Sequence, residues 1–226
     1  MTRAHVGAER VGGMVILTTA APPPPMSPRT PALRCCASLE EVRARCAGEG
    51  PALLLDDAAR ARVGAYVDEL LAYNEHTNVY SRRAYAHLPF HVHDSLTLGL
   101  IIGEAAAAAE PPPPGARGGV LDLGSGSGLP SLLIAAVNPT MPVFALESKS
   151  RKTRFLCAAA AAVGLPNYLP LTCNAHEWAR SAFVDATFVT AKAFKPVHEV
   201  VPIARACVRD RALLLVPVSE AQVLYR

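Results

Sequence analysis

The sequence has no C-x-x-C pair: its six cysteines stand at 35, 36, 46, 157, 173 and 207, and none has zinc-site spacing. A chain of 226 residues also has core enough to fold without a disulfide framework. Reduced thiols in an intracellular compartment, and no bound metal, are therefore expected. Long apolar runs are missing too. The stretch from Met14 to Ala21 is too short to span a bilayer, so no membrane partner is expected. Charge of either sign is sparse, and the small excess is local. The formal net charge is +3, and residues 1–38 account for it, with Arg3, Arg10, Arg29 and Arg34 against Glu9 alone. Residues 39–226 hold 18 of the 22 basic and 18 of the 19 acidic side chains. They lack the broad basic excess of many nucleic-acid binders, so any RNA contact must come from a local patch. Much of the 51% hydrophobic content is alanine, which fills little core volume. One domain of ordinary size plus extensions fits this length, and a monomer is expected.

What the sequence does have is Val120-Leu121-Asp122-Leu123-Gly124-Ser125-Gly126-Ser127-Gly128-Leu129-Pro130. A short apolar run ending in glycines reads as a buried strand that breaks sharply into a helix. The three glycines allow a tight turn and close backbone approach to a ligand. Pro130 suits the first turn of the following helix, whose free N–H groups and dipole favour an anionic or polar guest. The dinucleotide spacing G-x-G-x-x-G fails because Leu129 stands sixth counting from Gly124, and no G-K-[ST] follows to make a P-loop. The form present, D-x-G-x-G-x-G, resembles that of S-adenosylmethionine-dependent methyltransferases. Met141 to Leu146 reads as a second strand ending at Glu147, 23 residues after Gly124. An acidic residue about 20 residues past such a loop is where ribose hydroxyls are held. A nucleoside-containing cofactor is the reading this pair supports; a glycine turn with no ligand is the alternative.

The rest of the chain falls into four parts. Residues 1–38 are arginine-bearing, rich in Thr, Ser and Pro, and nearly free of acids, as organelle transit peptides are; a disordered tail is the plain alternative. Residues 39–104 predict a helical cap: a helix opened by the capping box Ser38/Glu41, one from Asp56 or Asp57 to about Asn74, and one over 88–103. Residues 105–118, alanines then four prolines, read as a spacer. Residues 119–226 alternate strands at 119–123, 142–146, 168–172, 186–190 and 212–217 with helices over 130–137, 149–163 and 196–208 and a turn near Glu177. This predicts an α/β fold with a parallel sheet, covered by helices on both faces. Ligands sit at the carboxyl ends of such strands, which gathers Gly124, Glu147, Asn174 to Glu177 and Thr190 to Phe194 at one crevice.

Three ordered segments resemble the bacterial small-subunit rRNA guanine-N7 methyltransferases of the RsmG, or GidB, type. Asn78 with His91-Val92-His93-Asp94-Ser95 matches that family's N-L-T and H-x-x-D-S elements. Leu121 to Pro130 matches its glycine loop with the Gly-Leu-Pro ending, and Ala191-Lys192-Ala193-Phe194 is similar to its S-R-A-F. The resemblance covers about residues 39–218. It implies a Rossmann-like class I S-adenosylmethionine methyltransferase sheet, S-adenosylmethionine as cofactor, and ribosomal RNA or the small ribosomal subunit as partner. Cofactor positions carried over are Gly124, Ser125, Gly126, Gly128, Leu129, Glu147, Ala175, His176 and Lys192. His91, Asp94 and Lys192 are the catalytic candidates.

The sequence departs from the family at two of these positions. His176 stands where an acidic residue is usual, and Lys192 replaces an arginine, turning a planar fork into a point charge. His91 and Asp94, three apart on one helix, have two readings: a substrate role, or fastening cap to sheet. Lys149, Arg151, Lys152 and Arg154 offer the best local phosphate contacts or a solvated helix face. Methyltransferases of this class add two strands after the fifth, and only Ser219 to Arg226 remain here. The expectation is a sheet with its last strands missing, an exposed edge at 212–217 and weak or absent activity. Two other functions stay open: a methyltransferase of another substrate, and a non-catalytic module of the same fold. The transit-like start implies a plastid or mitochondrion, with the cytoplasm as the alternative.

Overall fold

Short apolar runs punctuated by glycine and proline pair into one seven-stranded sheet. The computed structural model describes residues 5–11, 14–20, 38–109, 118–208 and 212–217. The strands are β1 (His5–Val11), β2 (Met14–Ala20), β3 (Val120–Leu123), β4 (Val143–Glu147), β5 (Tyr168–Thr172), β6 (Phe188–Thr190) and β7 (Leu213–Pro217). Their order is β1-β2-β7-β6-β3-β4-β5, and every pairing is parallel except β1 with β2. From β3 the chain winds outward to β4 and β5, then returns to β6 and β7 on the other side. The carboxyl ends of β3 and β6 therefore flank a switch point, where this class of sheet opens a crevice.

All four residues of β3 are buried, as a strand covered on both faces requires. Alternation divides them. Val120 joins a core cluster with the cap and with Phe155 and Leu156, while Leu121 and Leu123 join a second cluster with Leu146, Val189, Ile203 and Leu214. The cap consists of α1 (Leu39–Gly48), α2 (Asp57–His76) and α3 (Leu88–Ala108). Side-chain caps start the first two, Ser38 accepting from Glu41 N–H at 3.1 Å and Asp56 from Ala59 N–H at 2.6 Å. Helices α4 (Ser131–Val137), α5 (Ser150–Val163), α6 (Ala175–Ser181) and α7 (Val197–Cys207) connect the later strands. Helix α3 lies close on α4: a methyl group at Gly99 would stand 2.8 Å from Val137 Cγ2.

Two expectations are corrected. Residues 5–11 and 14–20 pair antiparallel as β1 and β2, and β2 pairs in turn with β7, from Val15 with Leu213 to Thr19 with Pro217. They are sheet rather than tail, and β7 is not an edge. The alanines at 105–108 belong to α3 rather than the spacer, because alanine extends a helix at no propensity cost. The rest of the spacer, 110–117, lies outside the described residues, as does the stretch after Pro217. Among the described residues no helix is long and apolar enough to cross a membrane, and no cluster of three or more His, Cys, Asp or Glu could hold a metal ion. Cys46, Cys157, Cys173 and Cys207 are free thiols; Cys35 and Cys36 lie outside the described residues.

Candidate active site at the ends of β3, β4 and β6

The glycine loop is built by its own backbone. Gly124, Gly126 and Gly128 have φ of +74°, +59° and +85°, which L side chains rarely adopt. The N–H groups of Gly124 and Ser125 both donate to the Leu146 carbonyl at the end of β4, at 2.9 and 3.0 Å. Gly128 N–H closes the turn on Ser125 O at 2.7 Å. A methyl group at Gly124 would collide with the ring of Phe194, and one at Gly128 with Leu132. Gly126 is different. A methyl group there would meet nothing nearer than 3.7 Å, so space opens above this residue.

Glu147 binds the loop directly. Its carboxylate accepts from Gly126 N–H at 2.9 Å, Lys149 N–H at 2.8 Å and Ser148 Oγ at 3.4 Å. It is buried, so these bonds offset the cost of removing its charge from water. A carboxylate has roughly four lone-pair sites, and three are used here, leaving acceptor capacity. The Glu147 carbonyl accepts from Cys173 N–H at 3.1 Å, which ties in the loop after β5. The sequence-predicted Gly124–Leu129 segment, Glu147 and Ala175 thus belong to adjoining, hydrogen-bonded turns. Ala175 is buried at the start of α6. The His176 side chain is exposed and lines a groove of about 760 Å³ between α6 and α7, with Arg180, His198 and Glu199. That groove is lined by none of the glycine-loop residues.

Lys192 joins the other two motifs. Its ammonium lies 2.6 Å from Asp94 Oδ2 and donates to Ser95 Oγ and the His91 carbonyl, both at 3.2 Å. Three acceptors match the three N–H bonds of an ammonium. The His91-to-Ser95 element of α3 and the Ala191-to-Phe194 element after β6 are therefore one constellation. Burial holds the His91 imidazole below its usual pKa, the Lys192 cation adds to this, Asp94 opposes it and His87 adds to it. These influences together favour the uncharged imidazole. The next residue after Lys192, Ala193, has φ of +51° although it is not glycine. That left-handed backbone costs about 1–2 kcal/mol and is held by its surroundings.

Three participants were not visible as site residues in the sequence. Tyr66, on the buried face of α2, donates its hydroxyl to Ser127 O at 2.8 Å and so fastens the cap to the glycine loop. Its only sequence signal is a tyrosine among aliphatic residues, since a buried hydroxyl needs a partner. Asn74, fully buried, accepts from Val79 and Tyr80 N–H and donates to Tyr80 O and Tyr85 Oη, shaping the turn before α3. Asp122 of β3 accepts from Thr190 Oγ1 at 2.8 Å, while its buried Oδ2 meets no hydrogen-bond geometry with any of the described residues. Burial raises its pKa, and neighbouring hydroxyls oppose the rise. The pair spans the switch point between β3 and β6.

Residues 60–219 match the family model GidB, rRNA small subunit methyltransferase G. The chain is 31% identical over 166 residues to Ribosomal RNA small subunit methyltransferase G of Novosphingobium aromaticivorans, covering 73% of this chain and 67% of that protein. It is 34% identical over 163 residues to the protein of the same name from Sorangium cellulosum, covering 71% and 64%. The chain thus spans about two thirds of the length of these relatives. Among solved structures, cofactor-bound Rv0187 from MTB aligns over 80% of this chain and 73% of its own, with 16% identity and a TM-score of 0.49. The family match covers most of the cap's second helix, all of its third, the glycine loop, Glu147 and Lys192 together, and the chain belongs to the rRNA small subunit methyltransferase G family.

Proposed function

We propose that this chain transfers a methyl group from S-adenosylmethionine to N7 of a guanine in small-subunit ribosomal RNA. The observation that carries the reading is the Glu147 carboxylate joined to Gly126 N–H, at the open point of a left-handed glycine loop. Family membership supplies the RNA substrate. Glu147 would hold the ribose hydroxyls with its remaining acceptor capacity, and the backbone from Gly124 to Gly128 the methionyl half. Ala175 and His176 would border the adenine. When bound, S-adenosylmethionine supplies a methyl group on a sulfonium, activated toward an incoming lone pair.

The chain's own residues have a modest chemical task. Guanine N7 carries a free lone pair in the neutral base, so no side chain need remove a proton first. Alignment can supply several kcal/mol by proximity alone. Asp94 fits this account, because its carboxylate is paired with Lys192, and His91 takes part through its main-chain carbonyl while its ring packs edge-on against Tyr80 and Phe90. Lys149, just before α5, and Arg151 and Arg154 on its first turns are exposed beside the end of β4 and offer phosphate contacts. N7 lies on the major-groove edge, which is inaccessible deep in an A-form helix, so a loop or partly assembled RNA is the substrate.

The acid-poor, arginine-bearing start supports delivery to a plastid or mitochondrion. Removal of residues 5–20 on import would strip β1 and β2 from the sheet, so N-terminal sequencing of the mature protein decides between targeting and retention. The function itself is tested by incubating purified protein with labelled S-adenosylmethionine and small-subunit RNA. Label recovered as N7-methylguanine is the expected result. Binding of the donor without RNA labelling would redirect the assignment to another substrate. Absence of donor binding by calorimetry would overturn the site.

A further inference from the structure

Lys192 has no N–H left for a ligand, yet it sits at the crevice beside a strained residue. The segment it belongs to leaves β6, turns left-handed at Ala193 and lays the Phe194 ring directly on Gly124. Only a glycine at 124 leaves room for that ring. On the other side, Asp94, Ser95 and the His91 carbonyl all come from α3, a cap helix about a hundred residues earlier in the chain. Both charged side chains are mostly shielded, at 14% and 16% exposure, so the pair is not a loose surface contact.

We propose that Asp94 is a positioning residue that acts through Lys192. The ion pair fastens the β6–α7 loop to the cap, keeps Ala193 in its left-handed turn and fixes Phe194 as a wall against the glycine loop. Phe194 is half-buried, and its free surface is the platform on which the acceptor base is held in line with the donor. The cap thereby sets the acceptor side of the crevice, while Glu147 and the glycine loop set the donor side. This division rests on the methyltransferase reading above, but the fastening itself does not.

The test uses the full chain with Asp94→Asn, Phe194→Leu, the double variant and Lys192→Arg. In the protein without ligand, Asp94→Asn should speed amide hydrogen exchange across residues 192–195 by about tenfold, with α3 and α7 protection unchanged, because the loop opens locally. Donor affinity by calorimetry should stay within about twofold, whereas RNA methylation at saturating donor should fall roughly 10- to 100-fold in kcat, as expected for a misplaced acceptor. The double variant should lose no more than the worse single variant, since both act through Phe194. Lys192→Arg should keep slow exchange at 192–195, the cation being retained. Unchanged exchange in Asp94→Asn, additive losses, or a donor affinity loss equal to the activity loss would each overturn the proposal. If wild type binds no donor while Asp94→Asn still loosens the loop, the methyltransferase reading fails and the fastening stands.

Discussion

Gly126→Ala separates ligand approach from folding. Three other glycines define what it should do. Gly164 ends α5 at φ +73° with nothing within 4 Å of an added methyl group, so Gly164→Ala measures the left-handed backbone cost alone. Gly124 and Gly128 add a collision with Phe194 or Leu132. Gly126 has φ of +59° and its nearest neighbours are Gly124 O at 3.7 Å and Lys152 Nζ at 3.8 Å, both at ordinary van der Waals separation. Its N–H bond to Glu147 is unaffected by a Cβ. An alanine in this backbone region costs about 1–2 kcal/mol, and the lower entropy of the unfolded chain returns about 0.4–1 kcal/mol. The net loss of about 1 kcal/mol should lower Tm by roughly 2–4 °C in both Gly126→Ala and Gly164→Ala. Their ligand behaviour should differ. A methyl group in space that the donor must occupy costs about 1–3 kcal/mol, a roughly 5- to 150-fold rise in Kd. Gly164→Ala should bind as wild type does. Thermal unfolding and titration calorimetry with S-adenosylmethionine read both effects. A folded Gly126→Ala that binds the donor within twofold of wild type would refute the placement of the crevice above this loop.

Glu147→Gln keeps the shape but offers one good acceptor where the carboxylate serves Gly126 and Lys149 N–H together; calorimetry should show donor affinity down at least about tenfold, the weight of one charged hydrogen bond. His91 has its pKa lowered in the folded state, so its contribution is present above the unfolded value near 6.5 and lost as pH falls through the lower folded value. Denaturant unfolding at pH 7.5 and 5.5 should therefore show wild type losing more stability on acidification than His91→Gln. Arg151→Ala with Arg154→Ala should weaken RNA binding across sequences and make the salt slope of log K shallower by about one for each phosphate no longer neutralised, leaving donor affinity unchanged.

The central sheet was legible because its strands are short apolar runs with a glycine or proline at nearly every boundary. Tyr168–Thr172 coincides with its predicted range, and Gly164 ends α5 in the left-handed conformation its position suggested. The strand pair β1 and β2 was not legible. Its pairing with β7 joins segments almost two hundred residues apart, and register of that kind is set by partners rather than by local pattern. Alanines 105–108 misled for the opposite reason: low complexity reads as spacer, yet alanine is the best helix former. At the site, motif spacing located the glycine loop, Glu147 and Lys192 separately. It did not show that Lys192 would spend its hydrogens on α3, since a lysine beside a glycine loop looks like a ligand contact until its neighbours are known.

That neighbourhood also explains why lysine is tolerated where the resemblance has arginine. The acceptors around position 192 are a carboxylate oxygen, a hydroxyl and a carbonyl, converging on one nitrogen. A compact ammonium with three tetrahedral donors meets such a set at a single point, whereas a planar guanidinium must spread five donors along a fork. Replacing the fork therefore gives up bidentate geometry without leaving a shielded cation unpaired. His176 is a milder departure still, because its side chain is exposed and an imidazole there carries no desolvation cost. Both changes fall on side chains, while the hydrogen bonds that shape the crevice from Gly124 to Gly128 are mostly backbone to backbone. A site whose geometry is held chiefly by main chain can exchange individual side chains at its rim and keep its form, and its sensitivity should concentrate at the glycines and at Glu147, the side chain that accepts the N–H of Gly126 at the loop's open point.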